Sequence, residues 1–332
     1  MIVAKTNMSE FAFTGVGANP HYGTPGNPAD RSRVPGGSSS GAAAAVADEM
    51  CEISIGTDTG GSTRIPAALC ELVGYKPTKH RIPTDGAFPL SPSFDSIGPI
   101  ARSVTDCAEA DAVLAGEKPW QVEPAGLSGL RLGIPQGMPL EELDTIVAGQ
   151  FEAAVRRLSE ASVCLSDAEF PIFDGMARVN SVATIPTAEA YQIHRELMAV
   201  RGAEYDPFIR SRIEMGSAVS PADYEKMLED RNALVGAMDK LLADVDALML
   251  PTTPIVAPTM SEVSGHDAFK RANRLLLRNT AIANFFDLCA ISLPMHGGAL
   301  PVGLMLFARR GRDQQLFGIA AAVERMLQRT PA

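Results

Sequence analysis

From Leu130 onward the apolar positions switch between two periods. Leu130, Leu132 and Ile134 recur at every second residue, as on one face of a strand, and Val147, Phe151, Ala154, Val155 and Leu158 then recur at helical spacing. The exchange returns later in the chain. An apolar strand is predicted over Ala247–Leu250 before Pro251, a helix around Lys270–Ala283, and strands over Ala290–Leu293 and Val302–Phe307. A closing helix carries Leu316, Ile319, Ala320, Val323 and Leu327. Strand and helix in alternation predict an α/β fold.

The first forty residues read differently. They have no helical period and are dense in Gly, Pro, Asn and Ser, which predicts a short strand over Ile2–Ala4 followed by a long ordered loop. An Ala-rich helix is expected from Gly41 to Met50 and a strand over Cys51–Ile55, after which the turn Gly60-Gly61-Ser62 opens into another helix. The stretch Ala177–Asn232 reads as mainly helical and is expected to lie as a flap over the core. No internal repeat or low-complexity linker divides the chain.

Composition narrows the class. At 332 residues, 46% hydrophobic and 20% charged, the chain has the makeup of a globular protein with a sizeable core. The 29 Lys and Arg against 39 Asp and Glu leave a net charge of -10, with no basic stripe interleaved with aromatics, so nucleic acid is not an expected partner. The five cysteines (Cys51, Cys70, Cys107, Cys164, Cys289) lack paired spacing and read as free thiols, with no metal site or cofactor expected. No targeting segment or long apolar run is present, so a cytoplasmic protein with no membrane contact is expected.

The candidate chemistry lies in two glycine-serine turns. One is Pro35-Gly36-Gly37-Ser38-Ser39-Ser40-Gly41, the other Thr57-Asp58-Thr59-Gly60-Gly61-Ser62-Thr63-Arg64, and each stands where a helix is expected to begin. A serine on such a turn presents its hydroxyl outward, and glycines beside it let main-chain N–H groups converge on a substrate oxygen. The amides of Thr59, Gly60, Gly61 and Ser62 are therefore the candidate oxyanion hole.

Pro35 to Val46 followed by Gly56 to Ala67 resembles, without gaps, the signature of the amidase signature hydrolases, in their stand-alone bacterial branch. The likeness continues at Lys5 to Phe11, Asn19-Pro20, Gly74 to Thr78, Asp95 to Pro99 and Leu300 to Leu304. The resemblance implies an α/β/α sandwich with a mixed central sheet covered by helices on both faces. It implies a single domain over 1–332, with a signature core at 1–130, the flap near 177–232, and strands and a helix at 246–330. It also implies hydrolysis of a small-molecule amide by a Ser–cis-Ser–Lys triad, with Ser62 as acylating nucleophile and Ser38 as the cis-serine proton relay. Thr57, Asp58 and Arg64 would brace the site, Met8, Phe11 and Tyr191 would line the substrate pocket, and a homodimer is admitted. Amides suit this arrangement, since the leaving amine must be protonated as the bond breaks and a bridging serine can pass a proton both ways.

The chain departs from the family at the base. The family's lysine lies upstream of the segment matched by Lys5, and Lys5, Lys76 and Lys79 match other positions, so none is assigned the role. An N-terminally truncated form of the fold is expected, with turnover far below that of an intact relative; a remnant or pseudoenzyme is the alternative. Two further readings compete. Gly37-Ser38-Ser39-Ser40-Gly41 also fits the nucleophile elbow of α/β-hydrolase esterases, with Ser39 as nucleophile and His266 or His296 as base, but Arg31 to Pro35 is not a buried strand. A glutaminase subunit of a tRNA-dependent amidotransferase shares the signature, yet Ile65 follows Arg64 where that branch commonly has Gln. Gly15-Val16-Gly17 followed by Pro20 does not make a dinucleotide turn.

Overall fold

The computed structural model describes residues 1–328. The expected closing element reaches 330, so its end lies outside the described residues. In chain order the elements are α1 (Ser40–Ala47), β1 (Ile53–Thr57), α2 (Arg64–Leu69), β2 (Val73–Lys76), β3 (Ile97–Ala101), α3 (Val104–Leu114), β4 (Arg131–Pro135), α4 (Thr145–Glu160) and β5 (Cys164–Ala168). There follow four helices, α5 (Ile172–Val179), α6 (Ile185–Arg201), α7 (Pro207–Glu214) and α8 (Pro221–Leu241), then β6 (Ala247–Pro251), α9 (His266–Arg278), α10 (Thr280–Phe285), β7 (Cys289–Pro294), β8 (Gly303–Ala308) and α11 (Asp313–Gln328).

The strands form one mixed sheet in the order β1-β3-β2-β7-β8-β6-β4-β5. Only β4 runs parallel to its neighbours, β5 and β6; the other pairings are antiparallel. Side chains alternate across the sheet, and both faces are apolar. In β6, Ala247 and Met249 join one hydrophobic cluster while Leu248 and Leu250 join another; in β8, Leu304 and Leu306 join the first and Met305 and Phe307 the second. Cys107 of α3, Phe151 of α4 and Phe317 of α11 close the first face, and Phe173 of α5, Ala188 of α6, Met238 of α8 and Phe285 of α10 close the second. A sheet buried on both sides by helices is the α/β/α sandwich expected from the resemblance.

Two expectations change. The strand over Ile2–Ala4 does not form: these residues are exposed and pair with no strand of the sheet, so their main-chain groups are left to water. The helix around Lys270–Ala283 is two helices, α9 and α10, meeting at Asn279. Arg31–Pro35 contributes only an isolated bridge, Arg33 to Thr259, so no strand leads into Ser39.

Candidate active site

The long N-terminal loop is ordered because it wraps the first glycine-serine turn. Gly37 donates its N–H to the Gly15 carbonyl at 2.8 Å, and the Ser38 carbonyl accepts from the N–H groups of Ser9 (3.0 Å) and Ser40 (2.8 Å). A Cβ on Gly37 would lie 2.6 Å from the Gly17 nitrogen, so only glycine lets the two segments touch. The Gly37–Ser38 peptide bond is cis. The second turn meets the first through the Ser39 N–H, which donates to the Ser62 carbonyl at 3.2 Å. Gly61 has φ 132, and a Cβ there would lie 2.1 Å from Thr280 Oγ1, whose hydroxyl donates to the Gly60 carbonyl at 2.6 Å. The first residue of α10 thus holds the turn from behind.

Beneath the turn lies a fully buried ion pair. Asp58 and Arg64 both have no exposed side-chain surface and meet at 2.9 Å. The Asp58 carboxylate also accepts from the Thr63 hydroxyl (2.9 Å), the Thr63 N–H (3.2 Å) and the Asn284 side-chain amide (2.8 Å). Arg64 spends its remaining donors on the Thr280 carbonyl (3.0 Å) and Asn284 Oδ1 (2.7 Å). Burial by itself would push the Asp58 carboxyl up. The adjoining Arg64 guanidinium, with hydrogen bonds from Arg64 and Asn284, outweighs it and holds the carboxyl well below the usual carboxylate range. A buried pair is tolerable only when its lone pairs and N–H groups are filled in this way. Thr59 fixes the other flank: its hydroxyl donates to Asp95 at 2.6 Å, and Asp95 accepts from the Leu90 and Ser91 N–H groups at 2.9 and 3.0 Å. Thr57 ends β1, and its carbonyl receives the Ser39 hydroxyl at 3.5 Å.

Ser62, with Thr59 and Gly60, forms the floor of a cavity of about 680 Å³. Leu90, Phe94, Met138, Leu277 and Phe285 supply apolar wall, and residues from within 180–187 and 208–215, among them Val182, Phe208 and Arg212, complete the lining. Ser38 is fully buried beside the floor, and its hydroxyl has no hydrogen-bond partner among the described residues, Ser62 included.

The expected pocket residues lie elsewhere. Met8 and Phe11 line a second cavity with Glu10, His21, Leu197 and Tyr205, and the Phe11 ring packs on His194 at 4.3 Å and Tyr205 at 5.1 Å. Tyr191 packs beside Phe13 and Tyr205, with its Cβ where a side chain on Gly216 would stand. The cavity over Ser62 is lined instead by residues that periodicity gave no reason to pick, among them Arg212 on α7 and Arg278 on α9. Thr280 and Asn284 were also passed over, being more than 200 residues from their partners.

The lysines fall where the sequence put them. Lys5 is exposed, Lys79 donates to the Ser93 carbonyl, and Lys76 is buried with its ammonium donating to the carbonyls of Pro77 (2.8 Å) and Leu288 (2.9 Å). Neither histidine of the esterase reading meets Ser39: His266 stacks on Phe208, and His296 pairs with Glu71 at 2.9 Å. Among the described residues no group of three His, Cys, Asp or Glu could hold a metal ion, and no helix is long and apolar enough to cross a membrane.

Comparison with known proteins places this arrangement. The chain is 34% identical over 342 residues to a 2-amino-5-chloromuconic acid deaminase of Comamonas testosteroni, covering 98% of this chain and 72% of that protein. It is 33% identical over 349 residues to an indoleacetamide hydrolase of Agrobacterium vitis, covering 98% and 73%. A crystal structure of an amidase superposes with a TM-score of 0.87 at 31% identity, over 97% of this chain and 74% of that one. These likenesses define an enzyme that hydrolyses carbon–nitrogen bonds other than peptide bonds. Residues 1–317 match the model of the amidase family, and the chain belongs to that family.

Proposed function

We propose that the chain cleaves a small-molecule amide through an acyl intermediate on Ser62, with Ser38 as proton relay and the N–H groups of Thr59, Gly60, Gly61 and Ser62 as oxyanion donors. The supporting observation is the joining of the two turns: the Ser39 N–H to Ser62 carbonyl bond ties the residue after Ser38 to the turn whose serine lines the cavity. Thr57, Asp58 and Arg64 are positioning residues, because they fix the turn without reaching the cavity.

In acylation the Ser62 oxygen bonds to the amide carbon while its proton moves to Ser38 Oγ and the Ser38 hydroxyl proton moves on to the amide nitrogen, so that Ser38 stays neutral throughout. The carbonyl oxygen takes up the negative charge against the turn amides. The carbon–nitrogen bond then breaks, the protonated nitrogen departs as the amine and an ester is left on Ser62. Water then attacks the ester, giving a proton by the same path to the Ser62 oxygen and releasing the acid. The two hydroxyls are not hydrogen-bonded at rest, so the relay requires them to come into contact during the reaction. No basic group is hydrogen-bonded to Ser38 Oγ among the described residues, which supports slow turnover by this chain on its own. The residues at 177–232 act in this reading as a flap within a single domain. The five cysteines, none of them paired, support a cytoplasmic setting.

Steady-state hydrolysis of aryl and alkyl amides tests the assignment. Ser62→Ala is expected to abolish turnover, and Ser38→Ala to lower it by about 10²–10⁴-fold, the usual worth of positioned acid–base catalysis. Turnover that survives Ser62→Ala would overturn it.

A further inference from the structure

The cavity over Ser62 has a charge that the rest of the molecule does not share. The chain carries a net charge of -10, yet the cavity wall contains Arg212, Lys270, Arg274 and Arg278 and no Asp or Glu. Lys270 and Arg274 are exposed, and Arg274 has Glu142 3.9 Å away. Arg212 and Arg278 are partly buried, and neither meets a carboxylate among the described residues. Arg278 is occupied with the main-chain carbonyls of Pro139 and Glu141 and the side chain of Asn279.

Arg212 is the more telling of the two. Three arginines elsewhere in the interior face an acid: Arg64 meets Asp58 at 2.9 Å, Arg81 meets Asp111 at 2.8 Å, and Arg231 meets Asp287 at 2.5 Å. Among the described residues Arg212 has only the Phe13 carbonyl, 2.8 Å from Nη1, and the Phe13 ring under its guanidinium at 4.1 Å. A carbonyl and a ring face orient the guanidinium plane but do not neutralise it. Desolvation lowers its pKa to about 10, which leaves it charged at neutral pH. Withdrawing a cation from water without a counter-charge is unfavourable, and a planar fork of N–H donors held in one orientation matches a carboxylate.

From this we infer that the cavity takes an amide whose far end carries a carboxylate, bound by Arg212, with an apolar chain or ring spanning the wall between Arg212 and Ser62. The inference rests on the reading of Ser62 as nucleophile and names the substrate class for that same site. The apolar lining of Leu90, Phe94, Met138, Phe208 and Phe285 accounts for the middle of the ligand, and the cation at one end fixes which end of it faces the serine. Arg212 is a specificity residue, since it would touch the part of the substrate that does not react.

Two probes of equal size separate the possibilities: adipamate, an amide with a terminal carboxylate, and 6-methylheptanamide, in which an isopropyl group replaces that carboxylate. Their affinities for Ser62→Ala are measured by calorimetry at low ionic strength, so that binding is read without turnover. Adipamate is expected to bind at least tenfold more tightly, with the preference shrinking as salt is added. Adding Arg212→Met should bring the two probes to parity, and Arg212→Lys should restore part of the difference. Equal affinities with Arg212 in place, or a preference unchanged in Arg212→Met, overturn the inference. If Arg212→Met does not fold, the comparison with Arg212 intact, and its salt dependence, decides alone. Wild-type hydrolysis of the two probes keeps the readings apart. Ser62-dependent turnover of both without anionic preference sinks the substrate class and leaves the nucleophile standing, whereas absence of both binding and turnover sinks both.

Discussion

Lys76 shows how far a single residue can be moved from its solution chemistry by its surroundings. Burial lowers its pKa to about 8, the Arg64 guanidinium adds to the shift, and Asp58 and Asp287 oppose it. Below about pH 8 the lysine is charged in both the folded and the unfolded chain, and the cost of burying the charge is fully felt. Between about 8 and the ordinary lysine value of 10.5 the unfolded chain still holds the proton that the folded one has lost, so stability rises with pH through that window. The rise should be on the order of 3 kcal/mol. Denaturation of wild type and Lys76→Met at pH 7.5 and pH 10 should show the gain in the first and a flatter response in the second. The sequence disclosed Ser62, Asp58 and Arg64 together because they share one turn, but it could not disclose Asn284, whose amide reaches Asp58 only after the chain has folded over it. Phe11 has φ 48 and its ring packs on His194 and Tyr205, contacts that join residues far apart in the chain and that no local pattern carries.

Among the elements, those with clean alternation were readable and those interrupted by glycine or proline were not. β6, β7 and β8 were found to within a residue or two, since each is a continuous apolar run. β3 hides its nature behind Gly98 and Pro99, yet it lies between β1 and β2. Proline is tolerated there because the ladder to β2 involves only Ile100 and Ala101 and stops short of Pro99. The division between α9 and α10 was invisible for a subtler reason. Asn279 keeps helical angles, φ -79 and ψ -41, while its side chain leaves the helix to donate to the carbonyls of Pro139 (3.0 Å) and Pro251 (2.9 Å). That junction points Thr280 and Asn284 at the glycine-serine turn. Asn279→Ala would take its side-chain donor from the Pro251 carbonyl and leave the Pro139 carbonyl to Arg278 alone, and is expected to cost about 1–3 kcal/mol. Chemical denaturation measures the loss, and a cost near zero would mean that water or a main-chain shift replaces the lost donor.

At the scale of the whole molecule, the ion pair under the site also ties distant parts of the chain together. Arg64 of α2 reaches Thr280 and Asn284 of α10 and the sulfur of Met305 in β8. Arg64→Met strands a buried carboxylate, so a loss of about 3–5 kcal/mol is expected. Because the contacts span the fold, unfolding should stay a single transition at lower denaturant; a separate early transition would show that the site melts by itself. The Asp58 contribution should be fully present above the usual carboxylate range and lost only as pH falls through the depressed value. The fold class was legible from periodicity, whereas the strand order was not. β7 and β8 come last in sequence among the strands yet sit inside the sheet, an arrangement set by long-range pairing that no local pattern carries.

The helices α5 to α8 leave the sheet after β5 and rejoin it at β6, and those two strands flank β4. Those strands lie about 10 Å apart, two strand spacings, and run parallel, so the stretch leaves the sheet at one end of the strands and returns at the other. It carries part of the cavity lining, including Arg212, while Ser38, Asp58, Ser62 and Arg64 all come from the first seventy residues. Grafting the corresponding stretch of a relative into this chain would exchange what the cavity accepts and leave the bond-breaking apparatus in its original frame. If Ser62 and Arg212 act as proposed, what the site accepts and how it cuts are carried by separable parts of the chain.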